Sequence, residues 1–375
     1  MSVVAIVVGT ILVITVLADV INTLVTTQTS TGRWWLTRVL YAASWRLISS
    51  GGRRCKTDSF RERLYAAYAP LSVLAMLVTW VAQQVVGFGL IWWGLRGGIE
   101  GADGLLDSIY FSGVVYFTVG FGEVVPTDQV PRFGALIEAF SGVLTTALVI
   151  GYLPSLYSAY SEREQKLLTL DDGSEGRISP TNLVLSRAPR GDGTRLDDFF
   201  SDWEAWIAQV METHTTFPML RLFRSEHPGQ NWITALGIVA DAALHVELTE
   251  DGRGRSAYWA LRRASTLMSM LTEDVDLSSY RARLDEAYVD DAAFQELYDS
   301  MVEHGFDMCP FDEAVEYARV LRRTFDAQLE FLIDVYDAPR GFWGHTIGHR
   351  LEIVGGAIAV DDDRVGVFDT GTTDG

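Results

Sequence analysis

The sequence predicts an all-α membrane protein: three transmembrane helices, a re-entrant helix and loop between the second and third, and a helical domain after them. Two observations predict it. Long apolar runs lie almost wholly before residue 158, while only 9 of the 49 Asp and Glu residues and 10 of the 30 Lys and Arg residues fall in residues 1–159. The remaining 20 basic and 40 acidic residues give residues 160–375 a net charge of −20, so the total of −19 belongs to the second half. A near-neutral apolar half joined to a charged one is the pattern of a membrane domain carrying a soluble one. The acidic half would repel phosphates, which argues against nucleic acid as a partner. Cys55 and Cys309 stand far apart with no disulfide or zinc spacing, as suits a reducing cytoplasm.

Val3–Val25 is long enough to cross a bilayer, which takes about 20 apolar residues. Nothing charged precedes Asp19 and no small-residue cleavage site follows, so a spanning helix (residues 1–27) is expected rather than a signal peptide. A second span is expected from Tyr68 to Leu95 and a third from Val130 to Tyr157, with Leu105–Phe117 between them too short to cross. The linker of residues 28–67 carries eight basic residues, Arg33 and Arg63 among them, against only Asp58 and Glu62. The positive-inside rule places that linker in the cytoplasm. Its segment Arg33–Ile48, with three Trp and spaced Arg, has the composition of a helix lying in the membrane surface; a linker helix packed on protein is the alternative. The amino terminus is then outside, Leu105–Phe117 dips back from the outer face, and the carboxyl-terminal half is cytoplasmic.

Residues 105–123 read LLDSIYFSGVVYFTVGFGE. Within them Thr118-Val119-Gly120-Phe121-Gly122 resembles the potassium-channel signature TVGYG, with Phe in place of Tyr. The resemblance is to the bacterial single-pore, two-helix potassium-channel family, and it covers roughly residues 65–160 with an extra span in front. It implies a pore domain (residues 68–159) in which rings of backbone carbonyls at Thr118, Val119, Gly120 and Phe121 replace the water of a bare K+ ion. Carbonyls aimed at one axis need left-handed backbone angles at alternate residues, which glycine takes without strain; Gly120 and Gly122 answer that need. Val119 and Phe121 are expected to turn their side chains into packing, and Leu105–Phe117 to end with its negative dipole toward the central cavity. One filter per chain requires four chains, hence a homotetramer in the lipid bilayer. Three departures stand out. Glu123 replaces the usual Asp, Phe117 a frequent second Thr, and Phe121 lacks the hydroxyl that can tie filter to pore helix.

In the third span Gly142, Thr146, Ile150 and Pro154 are spaced by four and are expected on one face lining a cavity, Gly142 as hinge and Pro154 as kink; helix-packing small residues are the alternative. Glu123 and Asp128, with Glu100, Asp103 and Asp107, would form an acidic outer mouth, or be ordinary solvated loop charges. Asp19 and Glu138 sit within spans, where an ionised carboxylate is costly; Asp19 is expected to reach the interface or to pair with an arginine such as Arg63, and for both a structural pair and a gating role are the alternatives. No row of spaced arginines marks a voltage sensor.

Residues 160–193 are expected to continue the helix briefly and then form a linker. Residues 194–350 carry helical patterns at about 196–213, 231–249, 256–273, 280–303 and 311–336, and little strand-like alternation. They predict a helical bundle with Trp203, Trp206, Phe217, Leu220, Phe223 and Trp232 in its core. The glycines of Gly252–Ala257 follow a helix-like segment rather than a strand, so nucleotide binding there is disfavoured. His345 and His349 lack a third metal ligand, and residues 351–375 are expected to be a mobile tail. The expected function is passive, potassium-selective transport across the cell membrane, with the ligand or partner of the cytoplasmic domain unknown. A poorly selective cation pore and a non-conducting receptor with a signalling helical domain remain alternatives. Nothing in the motifs points to an enzyme, and no cofactor is expected besides the transported K+.

Overall fold

A computed structural model describes residues 2–24, 44, 48, 58–170, 178–188, 194–225, 231–252, 255–273, 275–286, 291–338, 353–354 and 357–358. The basic segment Arg33–Ile48 (apart from Ser44 and Ile48), His345, His349 and most of the tail lie outside the described residues. The fold is all-α. Two compact units divide the chain: residues 1–169 with 208–232, and residues 170–207 with 233–375.

The first unit contains α1 (Ser2–Leu24), α2 (Asp58–Gly94), α3 (Leu105–Tyr116) and α4 (Gln129–Leu167). α1, α2 and α4 are long and apolar enough to cross a membrane; α3, with 12 residues, is not. One end differs from the sequence expectation: α2 starts at Asp58 rather than near Tyr68. α4 runs past Tyr157 to Leu167, the brief continuation expected beyond residue 160, and Glu162–Leu167 are all residues that lose little on joining a helix.

The spans are held by two apolar clusters. One joins Val16 and Val20 of α1 to Ala69, Val73, Met76 and Trp80 of α2 and to Tyr152, Leu156 and Ala159 of α4. The other gathers Val13, Phe88, Trp92, Ile99, Ala102 and Phe111, and so seats α3 against α1 and α2. The Trp92 and Phe111 rings meet edge to face at 5.7 Å. A short ladder of β1 (Ile99–Glu100) and β2 (Val125–Pro126), antiparallel with Ile99 opposite Pro126, ties the approach to α3 to the segment leading into α4. Val3, Ile14, Leu71 and Val78 remain exposed, as helices facing lipid would leave them.

The second unit is built from α5 (Pro180–Arg187), most of α6 (Thr194–Thr216), α7 (Trp232–Glu247), α8 (Ser256–Leu271), α9 (Ser278–Glu286), α10 (Asp291–Glu303), α11 (Phe311–Arg322) and α12 (Asp326–Tyr336). The expected linker thus holds a helix. Ser179 caps it by accepting the Asn182 N–H at 3.2 Å, and Pro180 supplies a first turn with no orphan donor. The single helix expected over 311–336 is two, broken where Phe325 leaves the helical region at φ −141° and buries its ring completely. In the tail, β3 (Ile353–Val354) pairs antiparallel with β4 (Ala357–Ile358).

The expected bundle core needs a correction. Trp203 and Trp206 are buried, with ring centroids 4.9 Å apart. Leu220 and Phe223 are also buried, but in the cluster formed by the three spans rather than in the helical domain. α6 ends at Thr216, a 3-10 turn follows over Pro218–Leu222, and its apolar side chains dock on α4.

Candidate ion-conduction site

The site grows from α3. The Asp107 carboxylate accepts the Gly104 N–H at 2.9 Å and so holds the first turn. At the other end the chain folds back onto the last carbonyls of α3: Thr118 N–H donates to Val115 at 3.0 Å and Val119 N–H to Val114 at 2.9 Å. The loop that follows alternates in hand. Thr118, Gly120 and Gly122 have φ of +54°, +64° and +88°. Nothing lies within 4 Å of a Cβ built on Gly120 or Gly122, so backbone conformation, not space in this chain, demands glycine there. Thr118 takes the same region without that freedom, a strain of about 1–3 kcal/mol that the α3 hydrogen bonds offset.

Val119 and Phe121, expected to turn their side chains away from the axis into packing, are largely uncovered within one chain. They are 50% and 70% exposed, and Phe117 is 61% exposed. α4 shows the same shortfall. A smaller share of its apolar stretch is buried than in α1 or α2.

The fourfold spacing in α4 also resolves differently. At 100° per residue a step of four drifts by about 40°, so residues 142 to 154 sweep about a third of a turn. Gly142 sits on the buried face, where a Cβ would come within 2.2 Å of the Tyr116 carbonyl oxygen; its small size lets α4 meet the end of α3. Thr146, Ile150 and Pro154 lie on the exposed face. Thr146 Oγ1 donates back to the Gly142 carbonyl at 2.9 Å.

Both intramembrane carboxylates are buried and receive an indole N–H. Asp19 Oδ2 accepts from Trp80 Nε1 at 2.9 Å, joining α1 to α2; the Arg63 side chain lies outside the described residues. Glu138 Oε2 accepts from Trp92 Nε1 at 2.7 Å, and its Oε1 accepts from Ser112 Oγ. That carboxylate therefore pins α4 to α2 and to the middle of α3. Sequence reasoning missed both tryptophans, which lie 61 and 46 residues from their partners. The only signal was the general need of a buried carboxylate for a donor, in a neighbouring span containing Trp80, Trp92 and Trp93.

Glu100, Asp103, Asp107, Glu123 and Asp128 are all exposed. Two of them already have structural work: Asp107 caps α3, and Glu123 accepts a hydrogen bond from the Tyr110 hydroxyl. The second contact ties α3 to the far end of the loop, the tie that Phe121 cannot make.

These features define a class. Residues 75–158, from α2 through α4, match the family described as "Ion channel". An ion channel of the two-transmembrane type is the class that match supports. The chain is also similar to the uncharacterized membrane protein YdjJ of Bacillus subtilis (strain 168), with 26% identity over 215 residues. That similarity covers 55% of this chain and 60% of the relative, so the chain spans less than two thirds of the protein it matches. No solved structure matches.

Proposed function

We propose that this chain is one subunit of a homotetrameric potassium channel that conducts K+ passively across the cell membrane. The observation that carries the reading is the alternation of left-handed backbone at Thr118, Gly120 and Gly122, directly after a half-membrane helix. Alternating hand turns successive carbonyls toward one side, the arrangement that substitutes for a cation's hydration shell. Four copies supply the ring, and the uncovered apolar side chains of the loop and of α4 are the surfaces those copies would cover. Thr118 to Phe121 hold the ion, Glu123 and Asp128 shape the outer mouth, and Thr146, Ile150 and Pro154 line the inner cavity. The basic linker faces the cytoplasm, which puts the carboxyl-terminal half inside.

The test is K+ flux from purified protein in liposomes, wild type against Gly120→Ala. An L-residue at φ +64° costs about 1–2 kcal/mol, repeated in each of the subunits, and should abolish flux without preventing membrane insertion. Equal flux from both proteins would remove the assignment. Phe117 and Glu123 favour a second reading, a cation pore of low selectivity. Reversal potentials in opposed K+ and Na+ gradients separate the two, equal permeability deciding for the second.

A further inference from the structure

Residues 214–224 leave the helical half and enter the core of the membrane unit. Met219, Leu220 and Phe223 belong to the cluster that holds α1, α2 and α4 together. The contacts begin at Tyr152, two residues before Pro154, and run along α4 to Arg163. Tyr152 meets the Phe217 ring at 5.4 Å and Met219 Sδ at 4.0 Å from its hydroxyl. Tyr160 packs on Phe223 at 5.3 Å and donates from its hydroxyl to the Arg224 carbonyl at 3.0 Å. Arg163, 2% exposed, forks onto the backbone: Nη1 donates to the Leu220 carbonyl at 2.8 Å and Nη2 to that of Phe223 at 2.7 Å. Its charge is answered by Glu164 at 2.8 Å. His214 lies 3.4 Å from Arg163 Nη1, and burial, with Arg163 and Arg221 nearby, holds its imidazole well below the usual value, so it stays neutral and can accept that contact.

A guanidinium is buried only where its donors are met, and two of its partners here are main-chain carbonyls of a segment more than fifty residues downstream. These contacts occupy the buried face of α4, while Pro154 lies on the exposed face. Pro154 also lacks the N–H that would bond the Ile150 carbonyl, which leaves that turn of α4 one hydrogen bond short. A pore lined by the exposed face widens when the end of α4 swings toward its buried face, and residues 217–224 fill that space.

We propose that residues 214–224 form a latch, anchored by Arg163, that blocks the bend of α4 at Pro154 and so holds the pore shut until the helical half withdraws it. The latch rests on the channel reading above. Both ends of the segment continue into the second unit, so a ligand or partner acting there has a covalent route to the gate.

The experiment uses the full chain in liposomes, carrying Tyr152→Cys with Met219→Cys in a Cys55→Ser, Cys309→Ala background. A short bifunctional thiol reagent should bridge the pair and lower open probability about tenfold, with recovery when a cleavable reagent is reduced. Arg163→Lys, which keeps the charge and loses the fork, and Phe223→Ala should each raise open probability with unchanged single-channel conductance. Bridging that leaves open probability unaltered, or Arg163→Lys and Phe223→Ala channels whose open probability matches that of wild type, overturns the latch while wild-type flux still stands. Absence of flux from wild type overturns the channel reading and the latch with it.

Discussion

Trp92 links three helices of the membrane unit through a single N–H. Its indole faces Glu138, whose other oxygen takes the Ser112 hydroxyl, so three helices share one buried carboxylate. Trp92→Phe keeps most of the ring and removes the donor. An unpaired buried acceptor costs about 1–3 kcal/mol, more when charged, so the midpoint of thermal unfolding in detergent should fall. An unchanged midpoint would mean that Glu138 finds another donor. Tyr110 poses the converse case, being exposed and useful only for where it points. Tyr110→Phe removes the contact with Glu123, the tie between α3 and the residue next to Gly122, and leaves the fastening to β2 and to the Thr127 and Asp128 N–H groups on the Gly98 carbonyl. Under sustained voltage the ion current of this variant should decay faster than that of wild type, with little change in thermal stability.

Helix faces decide the roles along α4. Gly142 and Thr146 are one turn apart, yet one is buried against Tyr116 and the other exposed. Gly142→Ala would drive a methyl group to within 2.2 Å of a backbone oxygen, so α3 and α4 must separate and conduction should be lost. Ile150→Cys, on the exposed face, should instead assemble normally and react with a water-borne thiol reagent that blocks flux. Protection of that cysteine from reagent would place residue 150 in lipid or at a subunit contact instead of a cavity. The sequence displayed the spacing of these residues, but a step of four drifts around a helix, and only the neighbours of α4 say where its faces turn.

Across the whole molecule, polarity separates two kinds of interior. Within its spans the membrane unit buries Asp19 and Glu138 against indoles, with the Arg163–Glu164 pair further along α4, whereas the second unit buries a cluster of four ionisable groups. There Arg322 donates to Asp241, His245 lies beside Asp241 at 3.9 Å, and Asp326 starts α12 among them. Burial raises the Asp326 carboxyl from 3.8 to about 7; Arg322 opposes the shift, and Asp241 and Glu330 reinforce it. The folded form therefore favours the proton. That stabilisation is complete below the unfolded value of 3.8 and is lost as pH rises through about 7. His245, lowered to about 4 by burial, runs the other way and loses its contribution as pH falls below its unfolded value of 6.5. Asp326→Asn isolates the first effect. Its stability relative to wild type should grow between pH 4 and 7 and level off above, measured by denaturant unfolding of the intact chain; a pH-independent difference would refute the shift. The three spans, the half-helix between them, the glycine-containing loop and the helical character of the second half are all legible in the chain's local patterns, because bilayer thickness, helix periodicity and backbone sterics act over a few residues at a time. That Leu220 and Phe223 belong with the spans, that Trp80 and Trp92 serve Asp19 and Glu138, and that Gly142 is a contact point emerge from the packed molecule. Each of those is a pairing across dozens of residues, and burial away from water is settled by which surfaces meet, a property no local stretch of sequence contains.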